Sequence, residues 1–139
     1  MAQMSTAERD AFLREPRIAI LITLREDGSP APVPIWYEWD GARARIFTER
    51  DSAKLARIRT DARVCLTVAE PAGVPEAWVT IDGTASIENE GGFALAERLA
   101  PRYYSAEQAA NVLPRWQAMA DRWVVIVIEP RRITSLAPD

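Results

Sequence analysis

The only lysine in the sequence, Lys54, stands where a predicted helix begins and where an anion could bind. Residues 47–54 read Phe-Thr-Glu-Arg-Asp-Ser-Ala-Lys, so a strand ends, a polar loop turns and a helix starts with Ser52 and Lys54 in its first turn. Free N–H groups and the positive dipole end at a helix start favour phosphate. A lysine there opposes the dipole unless an anion binds, and Arg57 lies one turn further on. The segment predicts either a phosphate site or an ordinary capped surface helix, and it lacks the glycine-rich loop of a P-loop.

A second pattern is the alternation of prolines in Pro30–Pro34, which removes backbone N–H donors from one edge of a predicted strand. The other edge keeps the donors of Ala31, Val33 and Ile35. Periodicity alone favours an edge strand protected against aggregation. The alternative is a strand that opens a barrel and leaves its backbone facing a flat ligand. Trp36 follows at once, and such an aromatic residue suits either a core or a cofactor wall.

The composition excludes several kinds of catalytic site. The sequence has no histidine, which removes histidine metal ligands and histidine-activated nucleophiles. Its single cysteine, Cys65, lies in an apolar run and is predicted to be a buried, unreactive thiol. The acidic residues show no spacing typical of a catalytic pair or a metal site, so we predict no catalytic side chain and no metal. A formal net charge of −3 argues against nucleic-acid binding.

The length of 139 residues predicts a single domain over residues 1–139. The N-terminus lacks the basic and apolar regions of a signal peptide. The longest apolar stretch, 123–128, is too short to span a bilayer. We therefore expect a cytoplasmic protein that does not interact with membranes.

The elements that must position these residues are predicted to be mainly strands. The six predicted strands are Arg17–Leu24, Ala31–Trp39, Arg43–Thr48, Arg63–Glu70, Ala77–Glu88 and Trp123–Ile128. Helices are expected after capping boxes at Ser5 and Ser105, from Ser52 to about Arg59, and from Glu90 until Pro101 ends that helix. A bulge or bend is expected at Gly83, and Pro130 is expected to bend the last strand. Six strands with few helices predict a closed or nearly closed antiparallel barrel.

These segments, in this order, resemble the FMN-binding split barrel of the pyridoxamine 5′-phosphate oxidase-like superfamily. The resemblance spans about residues 12–88 and includes the final strand. It rests on Arg17–Leu24, Asp27–Pro30, Pro34–Tyr37, Ile46–Thr48, Ser52–Lys54, Asp61–Val64 and Trp78–Ala85. It implies a mainly β fold with peripheral helices, a six-stranded antiparallel split β-barrel.

The resemblance also implies a homodimer with two cofactor sites at the subunit interface. The backbone of 32–36 would lie beside the isoalloxazine ring, Thr48 would contact the ring or the ribityl chain, and Lys54 would supply the principal charge for the phosphate. The implied cofactor-binding residues are Pro32, Val33, Pro34, Ile35, Trp36, Phe47, Thr48, Ser52, Ala53, Lys54, Arg57 and Trp78. Trp78 takes a position near the ring where family members often have a polar residue.

The function implied is that of an FMN-dependent oxidoreductase acting on a small organic substrate. Ala53 replaces an arginine found in some members, so the phosphate would depend more on Lys54, the helix start and Arg57. No arginine-rich substrate segment is recognisable after Pro130, which argues against pyridoxamine phosphate oxidase activity. The sequence is at least as similar to the related branch that binds the 8-hydroxy-5-deazaflavin coenzyme, which has the same fold and a matching lysine. A deazaflavin-dependent reductase, a non-catalytic flavin carrier or sensor, and a cofactor-free β-barrel dimer are the alternatives.

Overall fold

The structure is a computed structural model that describes residues 2–139, built from seven strands and four α-helices. The strands are β1 Ala19–Leu24, β2 Pro30–Ile35, β3 Glu38–Trp39, β4 Ala44–Glu49, β5 Arg63–Ala69, β6 Trp78–Glu88 and β7 Trp123–Leu136. The helices are α1 Thr6–Arg14, α2 Ala53–Thr60, α3 Gly92–Tyr103 and α4 Ala106–Gln117. Among residues 2–139, none of the helices has the length and hydropathy needed to cross a membrane.

The strands form one antiparallel sheet in the order β2-β1-β5-β6-β7-β4-β3. Its two edge strands, β2 and β3, are consecutive in the chain and only residues 36–37 separate them. Three Cα–Cα steps span at most about 11 Å, so the end of β2 and the start of β3 must lie close together. The sheet is therefore curled into a barrel that stays open between its edges.

The prediction of six strands is wrong, because the segment predicted as one strand over 31–39 forms two. Its first part, β2, pairs with β1, and its last two residues, β3, pair with β4 at the opposite edge of the sheet. Between them, Trp36 stacks on Tyr103, and Tyr37 is buried in the core. Because both rings are anchored in this way, the chain turns here from the edge formed by β2 to the edge formed by β3. The predicted antiparallel split barrel is otherwise consistent with the curled sheet.

The proline pattern identifies an edge strand correctly, since β2 pairs only with β1. Because prolines have no N–H to donate, the hydrogen bonds to β1 must come from the intervening residues, and the donor-poor side is the unpaired edge. On the facing edge, β3 covers only Ala44 and Arg45 of β4. From Ile46 onward, β4 is unpaired on that side, so a slit separates β2 from β4.

The core has two layers. Inward-facing side chains such as Leu21, Leu66 and Ile81 fill the barrel and are fully buried. On the outer face of β4 and β7, α3 packs Leu95 and Leu99 against Val125 and Val127. This second layer explains why 123–128 is buried on both faces, as its continuously apolar sequence predicts.

The capping residues predicted where helices begin more accurately than the prolines predicted where they end. Both capping boxes, at Ser5 and Ser105, form as predicted. Pro101, however, does not end α3, which continues to Tyr103 with the proline in its last turn. The thiol of Cys65 is half-buried rather than fully buried, and burial, followed by the nearby Asp82, raises its pKa to about 11.

The bulge predicted at Gly83 is present as a register shift between β6 and β7. Gly83 lies opposite Pro130, and a Cβ atom at Gly83 would lie only 2.4 Å from the carbonyl oxygen of Glu129. The two strands thus approach each other too closely for any side chain. The absent side chain lets β7 continue past Pro130 as a single strand to Leu136.

We expect Gly83→Ala to destabilise the protein because its methyl group would collide with the backbone of β7. The free energy of unfolding should fall by about 1–3 kcal/mol, the usual range for overpacking. The melting temperature should fall by roughly 3–10 °C, measured by circular dichroism. Ser86→Ala, at an exposed position on the same strand, is the control and should melt like the wild type. Equal melting of all three proteins would contradict the close approach.

Candidate functional site

The start of α2 carries a hydroxyl group that nothing in the described chain satisfies. Ser52 is the N-cap residue of α2, yet its side chain does not cap the helix. Its Oγ atom is buried and has no hydrogen-bond partner among residues 2–139. The first turn also contains no acidic residue to neutralise its free N–H groups. The helix start therefore offers unused hydrogen-bonding capacity, which is what an anion requires.

Two cations without a counter-ion lie on the same helix. Within residues 2–139, neither Lys54 nor Arg57 forms a salt bridge. Burial, followed by the like charge of Arg57, lowers the pKa of Lys54 below its usual 10.5, while Glu49 acts in the opposite sense. Both side chains are half-buried. The attraction of a bound anion would offset both the cost of burying these two cations and their mutual repulsion.

Arg57 is anchored to the barrel by a hydrogen bond. Its Nε atom donates to Oγ1 of Thr23 at 2.7 Å, and Thr23 is fully buried on the inner face of β1. Thr23 pairs with Ala31 of β2 in the sheet register. The hydrogen bond to Thr23 therefore holds the Arg57 side chain near the proline-rich edge strand.

A cavity of about 320 Å³ lies at the slit, and Lys54 belongs to its wall. This volume is within the range of small-molecule and cofactor pockets. The cavity is lined by Pro34, Ile35, Trp36, Phe47, Lys54, Tyr104 and Trp116. Its wall combines one cation with apolar and aromatic surface and contains no carboxylate.

The aromatic side chains of the wall pack against one another. Trp36 stacks on Tyr103 with ring centroids 4.8 Å apart and planes only 8° from parallel. Tyr104 meets Trp36 edge-on at 4.7 Å. Trp116 of α4 packs against Phe47 at 5.8 Å. Rings that are locked by such contacts form a rigid apolar surface suited to a flat ring system.

Five of the residues implied by the resemblance line this cavity, namely Pro34, Ile35, Trp36, Phe47 and Lys54. Ser52 and Arg57 do not line the cavity, but they lie on or next to the first turns of α2, the helix that carries Lys54 of the cavity wall. The other implied residues lie elsewhere around the site or away from it.

Pro32 is exposed on the edge strand, and the Val33 side chain packs against the barrel core. Ala53 is exposed as the first residue of α2. Thr48 is buried and points into the barrel, on the opposite side of β4 from Phe47. Trp78 lies at the start of β6, paired with Ala69 and Leu136, and does not line the cavity.

Tyr104 and Trp116 were not predicted from the sequence to belong to the site. Tyr104 follows the end of α3, and Trp116 falls on the apolar face of α4, which predicted only a helix packed on a core. The other residues that line the cavity lie at least 50 positions away from them in sequence. A local pattern carries no signal for such a contact, and only the docking of α3 and α4 against the sheet creates it.

A second cavity, of about 600 Å³, lies near the start of α3. Its cation, Arg50, already donates hydrogen bonds to Asn89 and to the carbonyl oxygen of Asp121. In the described part of the chain, no group of histidine, cysteine or acidic residues could hold a metal ion. The slit cavity is therefore the better candidate, because its cation, Lys54, has no salt-bridge partner in the described chain.

Solved structures of other proteins share this fold. The conserved hypothetical protein Rv2991 from Mycobacterium tuberculosis is 27% identical with a TM-score of 0.78, covering 95% of this chain and 84% of that one. An F420 reductase is 22% identical with a TM-score of 0.70, covering 89% of this chain and 94% of its own. A FAD-binding protein from Mesorhizobium loti is 19% identical with a TM-score of 0.67, covering 96% and 93% respectively.

At the level of sequence, no curated protein matches the chain significantly. The family described as pyridoxamine 5′-phosphate oxidase, in contrast, matches residues 5–137. This match spans almost the whole chain and agrees with the curled antiparallel sheet. The chain belongs to the pyridoxamine 5′-phosphate oxidase-like split-barrel superfamily, as the resemblance in its sequence predicted.

Proposed function

We propose that this chain is a flavin-dependent oxidoreductase that binds FMN in the slit cavity and acts on a small organic substrate. The observation that carries the proposal is the pair of unneutralised cations, Lys54 and Arg57, next to the unsatisfied hydroxyl of Ser52. An aromatic cavity adjoins them and shares Lys54 in its wall. A ligand that joins a phosphate group to a flat ring fits this arrangement, because the cations can bind the phosphate and the aromatic cavity can hold the ring.

In this proposal the start of α2 holds the phosphate group. Lys54 contributes a full charge, Ser52 donates its hydroxyl hydrogen, and the helix start adds free N–H groups. Trp36, Phe47 and the other cavity rings exclude water from one side of the ring system. A bound flavin itself supplies the electron-accepting and electron-donating ring, so the chain needs no histidine or carboxylate as a named acid or base.

The hydrogen-bonding groups of the cavity wall favour ligands rich in acceptors. Lys54 can only donate, Tyr104 can donate its phenol hydrogen, and the indole nitrogens of Trp36 and Trp116 can only donate. Donors next to a flavin ring stabilise the negative charge that develops on its reduced form. The chemistry of the wall thus supports a redox role as well as binding.

Two alternatives use the same site. The F420 reductase shares the fold, and an 8-hydroxy-5-deazaflavin coenzyme also joins a phosphate to a tricyclic ring, so a deazaflavin-dependent reductase is the second candidate. A flavin carrier or sensor is the third. The absorbance spectrum and mass of the ligand that copurifies distinguish the first two, and turnover in a substrate screen separates either enzyme from a carrier.

We further propose that two copies of the chain form a homodimer through the outer face of β1, β2 and β5. In the sheet register, eight neighbouring side chains on this face are uncharged and partly or fully exposed: Ile20, Ile22, Leu24, Pro30, Pro32, Pro34, Cys65 and Thr67. The charged Arg63 of β5 lies at the border of this group, where it lines a shallow cavity together with Leu24. Such a contiguous uncharged surface is typical of a protein–protein interface. Pro34 belongs both to this face and to the cavity wall, which supports a cofactor site at the subunit interface.

The test of the proposed function is titration of flavin-free protein with FMN, followed by the quenching of flavin fluorescence. Lys54→Ala should weaken binding by about 1.5–3 kcal/mol, roughly ten- to a hundredfold, because a charge-assisted contact is lost. Arg59→Ala removes the same charge from an exposed position of α2 and should bind FMN like the wild type. Wild-type protein with no affinity for FMN or the deazaflavin would refute the proposal, and equal affinity of Lys54→Ala would remove Lys54 from the site.

The affinity for FMN should fall as the pH rises towards the usual lysine pKa of 10.5. Burial and Arg57 lower the pKa of Lys54 in the free protein, so its ammonium group loses its proton before that pH is reached. Lys54→Arg keeps its charge throughout and should show no such decline. Riboflavin, which lacks the phosphate, is the control ligand. A decline of equal size with riboflavin would mean that another group titrates.

Ile22→Arg should convert the dimer to a monomer, because it places a charge in the centre of the uncharged face. Light scattering measures the mass. If the partner completes the site, the loss of the dimer should also weaken the binding of FMN. Val74→Arg introduces the same charge in the loop before β6, at a side chain that is 46% exposed, and should leave the mass unchanged. A wild-type monomer that binds FMN would contradict the proposed assembly.

A further inference from the structure

Thr23 and Thr48 are the buried polar residues of the described core, and Thr23 faces a cation. Its side chain is fully buried on the inner face of β1, where its neighbours along the strand, Ala19 and Leu21, are apolar. The Oγ1 atom accepts a hydrogen bond from Nε of Arg57 at 2.7 Å. A valine would fill the same volume without a polar atom, so this hydroxyl has a role that packing does not explain.

The bond to Thr23 leaves the terminal nitrogens of Arg57 free. Neither Nη1 nor Nη2 forms a hydrogen bond to any of residues 2–139, and no carboxylate of this part of the chain pairs with the guanidinium. Arg57 is also close enough to Lys54 to lower its pKa. Holding two like charges together is unfavourable unless an anion binds between or beside them.

An arginine side chain has several rotatable bonds, and fixing it at a binding site costs conformational entropy. One hydrogen bond at Nε restricts the guanidinium while both terminal nitrogens stay available as donors. This bond is accepted by a residue of β1, a strand that is paired on both sides in the sheet. The arginine is thereby oriented before the anion arrives, which lowers the cost of binding.

We propose that Thr23 is a positioning residue of the anion site: it holds Arg57 so that the terminal guanidinium nitrogens bind the phosphate of the cofactor. The inference rests on the proposed function, because the phosphate is taken to be that of a flavin. Thr23 does not touch the ligand and acts only through Arg57. A purely structural bond that ties α2 to the barrel is the competing explanation.

The two explanations differ in what Thr23→Val does to FMN compared with riboflavin. We expect FMN binding to flavin-free protein to weaken roughly five- to twentyfold, the scale of one charge-assisted hydrogen bond, with riboflavin binding unchanged. Thr23→Ser keeps the acceptor and should restore FMN affinity to within about twofold. Arg57→Gln should weaken FMN binding at least as much, and adding Thr23→Val to it should have no further effect.

The controls separate loss of position from loss of stability. Arg59→Gln removes an exposed arginine from the same helix and should leave the ratio of FMN to riboflavin affinity unchanged. If Thr23→Val does not fold, Arg57→Lys replaces it, because lysine keeps the charge but lacks the Nε donor; it should also weaken FMN selectively.

Each outcome decides the question. Selective loss of FMN affinity that serine rescues supports the inference. A lowered melting temperature with an unchanged ratio of FMN to riboflavin affinity means that the bond is only structural and overturns it. Wild-type protein that binds neither flavin overturns the proposed function and this inference together, whereas wild-type binding with an unaffected Thr23→Val overturns the inference alone.

Discussion

Only two residues, Trp36 and Tyr37, connect β2 to β3. This connection joins strands at opposite edges of a seven-stranded sheet, so the sheet must curl until its edges lie side by side. Edges this close would normally pair and close the barrel. The prolines of β2 leave no N–H donors on its free edge, so a ladder cannot form there. The slit is a consequence of these two opposing requirements, and the cavity lies within it.

The electrostatics of the site follow from the same geometry. Because β4 ends beside the slit, α2 begins there, and its first turns bring Lys54 and Arg57 to the cavity side of the barrel. Several arginines elsewhere in the described chain are paired with carboxylates, as in the pairs Arg17–Glu70 and Arg98–Glu38. A site where cations are left unpaired and half-buried is less stable by itself, and this strain is typical of binding sites.

The aromatic wall shows how distant segments contribute to one surface. Trp36 comes from the turn between the sheet edges, Phe47 from β4, and Trp116 from α4. Each ring packs against at least two others, so the wall keeps its shape without a ligand. A rigid wall of this kind suits a cofactor that carries the redox chemistry itself, with the protein supplying position, charge and exclusion of water.

Residue types and their local spacing were enough to predict the capping boxes, most strands, the bulge at Gly83, the donor-poor edge of β2 and the cationic start of α2. Each of these features depends on residues a few positions apart, and their steric and hydrogen-bonding preferences follow from the residue types alone. The tertiary structure alone decided that 31–39 splits between two edges, that Thr48 and Trp78 face away from the cavity, and that Tyr104 and Trp116 join it. It also decided that Arg57 meets Thr23. These outcomes depend on contacts between residues far apart in sequence, and local periodicity contains no information about which distant partner a side chain will meet.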